Sequence, residues 1–145
     1  LNQLKIENVS VCMEHGDFDL CNIFYNKKDL FLVDFEHSEK ESLPFFDLGN
    51  LLFSTIAQEW KDLQTSETLE QFSLRMGYTN FLNSNVESYS KETDCPIELL
   101  EYLPGITALM MKLKIFGENR NPNDYPINDE NVFDELLNWK LKLNK

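Results

Sequence analysis

At 145 residues the chain has room for one well-packed core and little room for a second domain. A composition of 42% hydrophobic and 12% aromatic residues excludes an intrinsically disordered chain. With 25 acidic against 13 basic residues the net charge is -12, which argues against nucleic acid or an anionic membrane as partner and slightly favours a cationic one.

The first predicted element is a half-buried strand, in which Val9, Val11 and Met13 alternate with Ser10 and Cys12. It runs into the polar loop His15-Gly16-Asp17-Phe18-Asp19-Leu20-Cys21-Asn22. Ile23 to Tyr25 and Leu30 to Val33 then flank Asn26-Lys27-Lys28-Asp29, the pattern of a β-hairpin with a four-residue connection. Both ends of the hairpin therefore carry polar residues, Asp17 and Asn22 before it and Asp34 and Glu36 after it.

From Asp47 the period becomes helical. Leu48, Leu51, Leu52, Thr55, Ile56 and Trp60 share one face, and Asp47 is the expected N-cap. A second helix is expected over Ser66–Met76, with Leu69, Phe72 and Met76 inward and Gly77 at its end. A third, weaker helix carries Phe81, Leu82, Val86 and Tyr89. A fourth starts near Pro96 and continues through Leu113 with a break at Pro104-Gly105. After a loop at 119–128, Asp129 caps a last helix that turns Val132, Phe133, Leu136, Leu137 and Leu141 inward. The expected fold is thus α+β and mostly α, one domain over residues 1–145 with a small hairpin followed by about five helices.

Cys12, Cys21 and Cys95 have neither paired spacing nor an even count, which suggests reduced thiols and a cytoplasmic location. No C-x-x-C pair accompanies His15 and His37, so a structural zinc site is not expected. Glu101, Pro104, Lys112 and Lys114 interrupt the longest apolar run, and no membrane span is expected. Trp60, Tyr89, Tyr102 and Trp139 could wall a cage for a quaternary ammonium, although aromatic residues on helices usually serve the core.

The hairpin makes neighbours of residues that could perform phosphoryl transfer. That chemistry asks a protein for an aspartate to hold the acceptor hydroxyl and for hard oxygen donors to bind magnesium. Asp17, Asn22 and Asp34 meet those requirements if the two ends of the hairpin converge.

The ordered set His15-Gly16-Asp17-x4-Asn22, Leu32-Val33-Asp34-Phe35-Glu36 and Phe46-Asp47-Leu48-Gly49-Asn50 resembles the carboxy-terminal lobe of the aminoglycoside phosphotransferase and choline kinase superfamily, relatives of protein kinases. The resemblance covers residues 9 to 53 by motif and the later helices by general pattern. It implies a protein-kinase-like carboxy-terminal lobe and transfer of the γ-phosphate of ATP, with Mg2+, to a hydroxyl of an amino alcohol, an aminoglycoside or a sugar. Asp17 would be the catalytic aspartate, and Asn22 and Asp34 would bind magnesium and, through it, the nucleotide. His15 and Asp47 would support the loop, and Glu36 stands where a contact to substrate or a second metal would fall.

Gly16, Gly49, Gly77, Gly105 and Gly117 form no glycine-rich phosphate loop, and no strand is available to supply the nucleotide-anchoring lysine. The amino-terminal nucleotide lobe is therefore expected to be missing, with Leu1 to Lys145 a fragment of a longer polypeptide that is poorly active alone. The competing expectations are a non-catalytic kinase-like binding module and a magnesium-dependent hydrolase built on the same carboxylates.

Overall fold

The computed structural model describes residues 11–18, 20–43, 45–117 and 129–144. It is α+β and mostly helical. Strands β1 (Cys12–Glu14), β2 (Ile23–Tyr25), β3 (Leu30–Leu32) and β4 (Glu39–Ser42) come first, followed by helices α1 (Phe46–Asp62), α2 (Leu69–Arg75), α3 (Tyr78–Thr93), α4 (Ile97–Leu100), α5 (Leu103–Gly117) and α6 (Glu130–Asn138).

The strands form two separate antiparallel pairs, β1 with β4 and β2 with β3. In the β2–β3 hairpin Ile23 faces Leu32, Phe24 faces Phe31 and Tyr25 faces Leu30. Its connection is an asparagine-led turn: Asn26 accepts through Oδ1 from the N–H groups of Lys28 and Asp29, and Lys27 takes a positive φ of 75°.

Strand β1 contradicts the expected inward face. Val11 and Met13 are each 63% exposed, whereas Glu14 is buried at 4%. The even-numbered positions face inward because the Glu14 carboxylate is needed below the strand, and a period of two then turns Val11 and Met13 outward. Val9 and Ser10 lie outside the described residues. Strand β4, Glu-Lys-Glu-Ser, was not expected at all; it pairs with β1 through backbone bonds and has no apolar alternation to reveal it.

The core lies among the helices. Phe46 and Phe53 of α1, Leu69 and Phe72 of α2, Leu82 and Val86 of α3, Leu100, Leu103 and Leu136 are all fully or almost fully buried. Gly49 lets α1 approach α5 closely, since a Cβ there would sit 1.9 Å from Thr107 Oγ1.

Helix α2 starts later than Ser66, at Leu69, because Thr68 builds a capping box with Gln71. The break expected at Pro104-Gly105 falls three residues earlier, at Glu101-Tyr102, and Pro104 sits in the first turn of α5, where no N–H is required of it. This splits the expected fourth helix in two and brings the described helices to six. Leu137, expected inward, is 46% exposed, and Phe81 of α3 is 58% exposed.

Asp129 does cap α6, accepting from the Asn131 N–H at 3.0 Å. The helix ends at Asn138, so Leu141 is not part of it. The tail is extended instead, its N–H at Leu141 donates to Glu101 O at 2.9 Å, and Trp139, Leu141 and Leu143 are buried at alternate positions. The Trp139 ring meets Phe53 edge-on with centroids 5.4 Å apart.

Candidate active site

The first N–H groups of a helix have no partner within it. At α1 the residue before the helix, Phe45, has no side chain that could serve. Glu14 serves from β1: its Oε1 accepts from the Phe46 N–H at 2.9 Å and its Oε2 from the Asp47 N–H at 3.2 Å. Two charge-assisted hydrogen bonds and the positive end of the helix explain how a carboxylate can be this deeply buried.

Asp47 is thereby freed from the N-cap role expected of it, and it occupies the second position of the helix. Its carboxylate turns to the loop after β1, accepting from the His15 N–H at 2.5 Å and the Gly16 N–H at 2.9 Å. Gly16 has a φ of 82°, a conformation that glycine adopts without steric cost.

His15 ties the loop to the far strand of the hairpin. Its Nε2 lies 2.7 Å from Val33 O, which can only accept, so Nε2 carries the hydrogen. The ring is buried against Phe35, with centroids 4.5 Å apart, and its Nδ1 has no partner. This places His15 as a brace within the loop.

Asn22 closes the loop from the other side by donating through Nδ2 to Asp17 O at 2.8 Å. Asn50 of α1 donates to the next carbonyl, Phe18 O, at 3.2 Å. The Val33 N–H donates to Asn22 O at 3.1 Å and extends the hairpin ladder by one step. The backbone segments of Asp17, Asn22 and Asp34 therefore meet at the base of the hairpin.

Asp34 has φ 64° and ψ 62°, the left-handed region, in which a residue with a Cβ carries a steric cost of about 1 kcal/mol. Its side chain is exposed and makes no hydrogen bond or ion pair among the described residues. Glu36, in the short turn Phe35–His37, is 3.1 Å from His37 Nε2, so its carboxylate already has a neighbour.

The donors at the hairpin base suit a hard cation. The Asn22 amide donates through Nδ2 to Asp17 O, and Asn22 Oδ1 and the Asp34 carboxylate are the hard oxygen donors of these two segments. Among the described residues no group of three or more His, Cys, Asp and Glu side chains could hold a metal ion. An ion held by these two oxygens would need further ligands from outside the described side chains.

Below the loop, burial and negative charge act together on two titratable groups. Burial, with Glu14 and Asp47 nearby, pushes the Cys12 thiol above its ordinary pKa. Burial also raises the Tyr89 phenol strongly, with Cys12 and Glu14 adding to the effect.

No protein-family model matches the chain. No curated protein and no solved structure matches it either. Among the described residues no helix is long and apolar enough to cross a membrane.

Glu14 and Asn50 escaped the sequence reading. A carboxylate at an inward position of a strand was the available signal for Glu14. Asn50, fully buried one turn into an apolar helix face, was the signal for the second amide holding the loop.

Proposed function

We propose that this chain is the carboxy-terminal lobe of an ATP- and magnesium-dependent phosphotransferase that acts on a hydroxyl group of a small molecule. The observation that carries this reading is the convergence of three chain segments at one hairpin base, held by Asn22 Nδ2 to Asp17 O at 2.8 Å, Val33 N to Asn22 O at 3.1 Å and His15 Nε2 to Val33 O at 2.7 Å. Asp17 would orient the acceptor hydroxyl and take its proton, a contribution typically worth a factor of about 100 to 10,000.

Asn22 and Asp34 would hold magnesium, which when bound cancels charge on the nucleotide phosphates. The left-handed backbone at Asp34 supports the reading, because strain of this kind persists where the surroundings hold a side chain in one direction. His15 and Asp47 would be positioning residues, acting on the loop backbone rather than on substrate. The nucleotide would need a second lobe supplied by other sequence. Cys12, Cys21 and Cys95 are not joined to one another by disulfides, which agrees with a reducing compartment such as the cytoplasm.

The test is phosphoryl transfer from Mg-ATP to hydroxyl acceptors by the complete polypeptide and by its Asp17→Asn variant. The variant is expected to fold normally and to lose transfer by at least about a hundredfold. Unchanged turnover would remove Asp17 from the reaction, nucleotide binding without any transfer would point to a non-catalytic module, and equal phosphate release with and without an acceptor would point to a hydrolase.

A further inference from the structure

A cavity of about 580 Å³ opens beside the loop that carries Asp17 and Asn22. Leu20, between those two residues, and Ile23, directly after them, form one wall. Leu52, Thr55 and Ile56 of α1 form the floor, and the segment from Met76 to Phe81 closes the far side. The volume falls within the range of about 300–1,000 Å³ usual for small-molecule sites.

The character of the lining is informative in a chain of net charge -12, because no lining residue is charged. Its polar atoms are few. The Tyr78 hydroxyl is already spent on Glu59 Oε2 at 2.6 Å, which leaves the Thr55 hydroxyl as the other side-chain polar group. Burying a cation here would cost its hydration with no opposite charge in the wall to compensate. An aromatic cage is no substitute, since the Tyr102 face is covered by Lys140 Nζ at 4.7 Å and Trp139 is buried against Phe53.

We propose that this cavity receives the body of the acceptor, and that the acceptor is an uncharged alcohol with an aliphatic body rather than a quaternary amine or an aminoglycoside. The inference rests on the phosphotransferase reading of the adjacent loop. The aliphatic part lies against Leu20, Ile23, Ile56 and Met76, and the hydroxyl end points to the neighbouring Asp17.

The test is a titration of the full chain, methyl-labelled at isoleucine and methionine and without nucleotide, with straight-chain primary alcohols from butanol to octanol and with choline. The Ile23, Ile56 and Met76 methyl signals are expected to shift, with affinity rising about fourfold per added methylene. Choline is expected to leave them in place. Thr55→Trp, at an exposed position that projects into the cavity, should block the shifts, and Phe81→Asp, which places a charge in the wall, should weaken them.

Affinity independent of chain length, shifts that persist in Thr55→Trp, or equal shifts with choline would overturn the proposal. So would contacts to the Met76 methyl from another polypeptide segment in the alcohol-free protein. Transfer to choline with silent cavity methyls would overturn the proposal while leaving the phosphotransferase reading intact. Alcohol binding without transfer by the complete polypeptide would instead remove the phosphotransferase reading and, with it, the acceptor role of the cavity.

Discussion

Glu14 and Asp47 hold each other's segments in place: Glu14 accepts from the Asp47 N–H, while Asp47 accepts from the N–H groups of His15 and Gly16 just after Glu14. Neither carboxylate acts on its own strand or helix alone, so the start of α1 and the polar loop form one unit. Removing either acceptor leaves backbone donors unpaired in a largely buried place, at a cost of about 1–3 kcal/mol per group. Asp47→Ala and Glu14→Ala are each expected to destabilise the chain by about 2–4 kcal/mol in urea denaturation, and the double variant by clearly less than the sum. Additive losses would mean that the two carboxylates do not form a unit.

At Asp34 function should be lost out of proportion to stability. Glycine relieves the left-handed backbone, so Asp34→Gly is expected to change stability by no more than about 1 kcal/mol, in either direction. Asp34→Val should cost about 1–2 kcal/mol, because a β-branched residue is poorly tolerated there. Both should abolish magnesium-dependent phosphoryl transfer in the complete polypeptide. Thermal melts combined with a transfer assay would reveal the split, and retention of activity in Asp34→Gly would exclude the carboxylate from the site.

The loop and hairpin were legible in the sequence because their residues act locally. Asn26 to Asp29 announce a turn by their own hydrogen bonding, and the Asp17 to Asn22 spacing lies within one loop. The parts that were not legible are those set by distant partners. The inward face of β1 follows from the need of α1 for the Glu14 carboxylate 32 residues away, and β4 is recruited by the backbone edge of β1. Leu141 is buried as expected of an apolar residue, yet in an extended tail, because its N–H finds Glu101 O and not a fourth turn of α6. Local pattern could indicate that it is buried, but not by which geometry.

The contact between α1 and α5 depends on a missing side chain. Gly49→Ala would place a methyl 1.9 Å from Thr107 Oγ1 inside the core. The expected loss is about 1–3 kcal/mol. Adding Thr107→Ala removes the hydroxyl and leaves the added methyl 3.1 Å from the remaining Cβ, so part of that loss should return. A double variant no more stable than Gly49→Ala would show that the strain lies elsewhere.

Asp129 gives the chain an acid-sensitive end. Burial opposes ionisation there, but the Lys61 ammonium and the N–H groups of Asn131 and Val132 win, holding the carboxyl below its ordinary 3.8. The stabilisation is then fully present above about pH 4 and fades as the pH falls through the lowered folded-state value. Asp129→Ala should cost about 1 kcal/mol at pH 7 and much less near pH 2, as measured by denaturant melts at the two values. An equal cost at both would rule out the ionised cap.

The most direct measurement of the central claim, that Asn22 and Asp34 hold one hard cation beside Asp17, is selective broadening of backbone amide NMR signals by substoichiometric Mn2+ in the presence of ATP. On the proposed function, the signals at Asp17, Asn22 and Asp34 are expected to be lost first, with reversal by excess Mg2+ and no such loss in Asp34→Asn. Broadening spread over the acidic surface around Asp129, Asp134 and Glu135, with the hairpin base untouched, would contradict it.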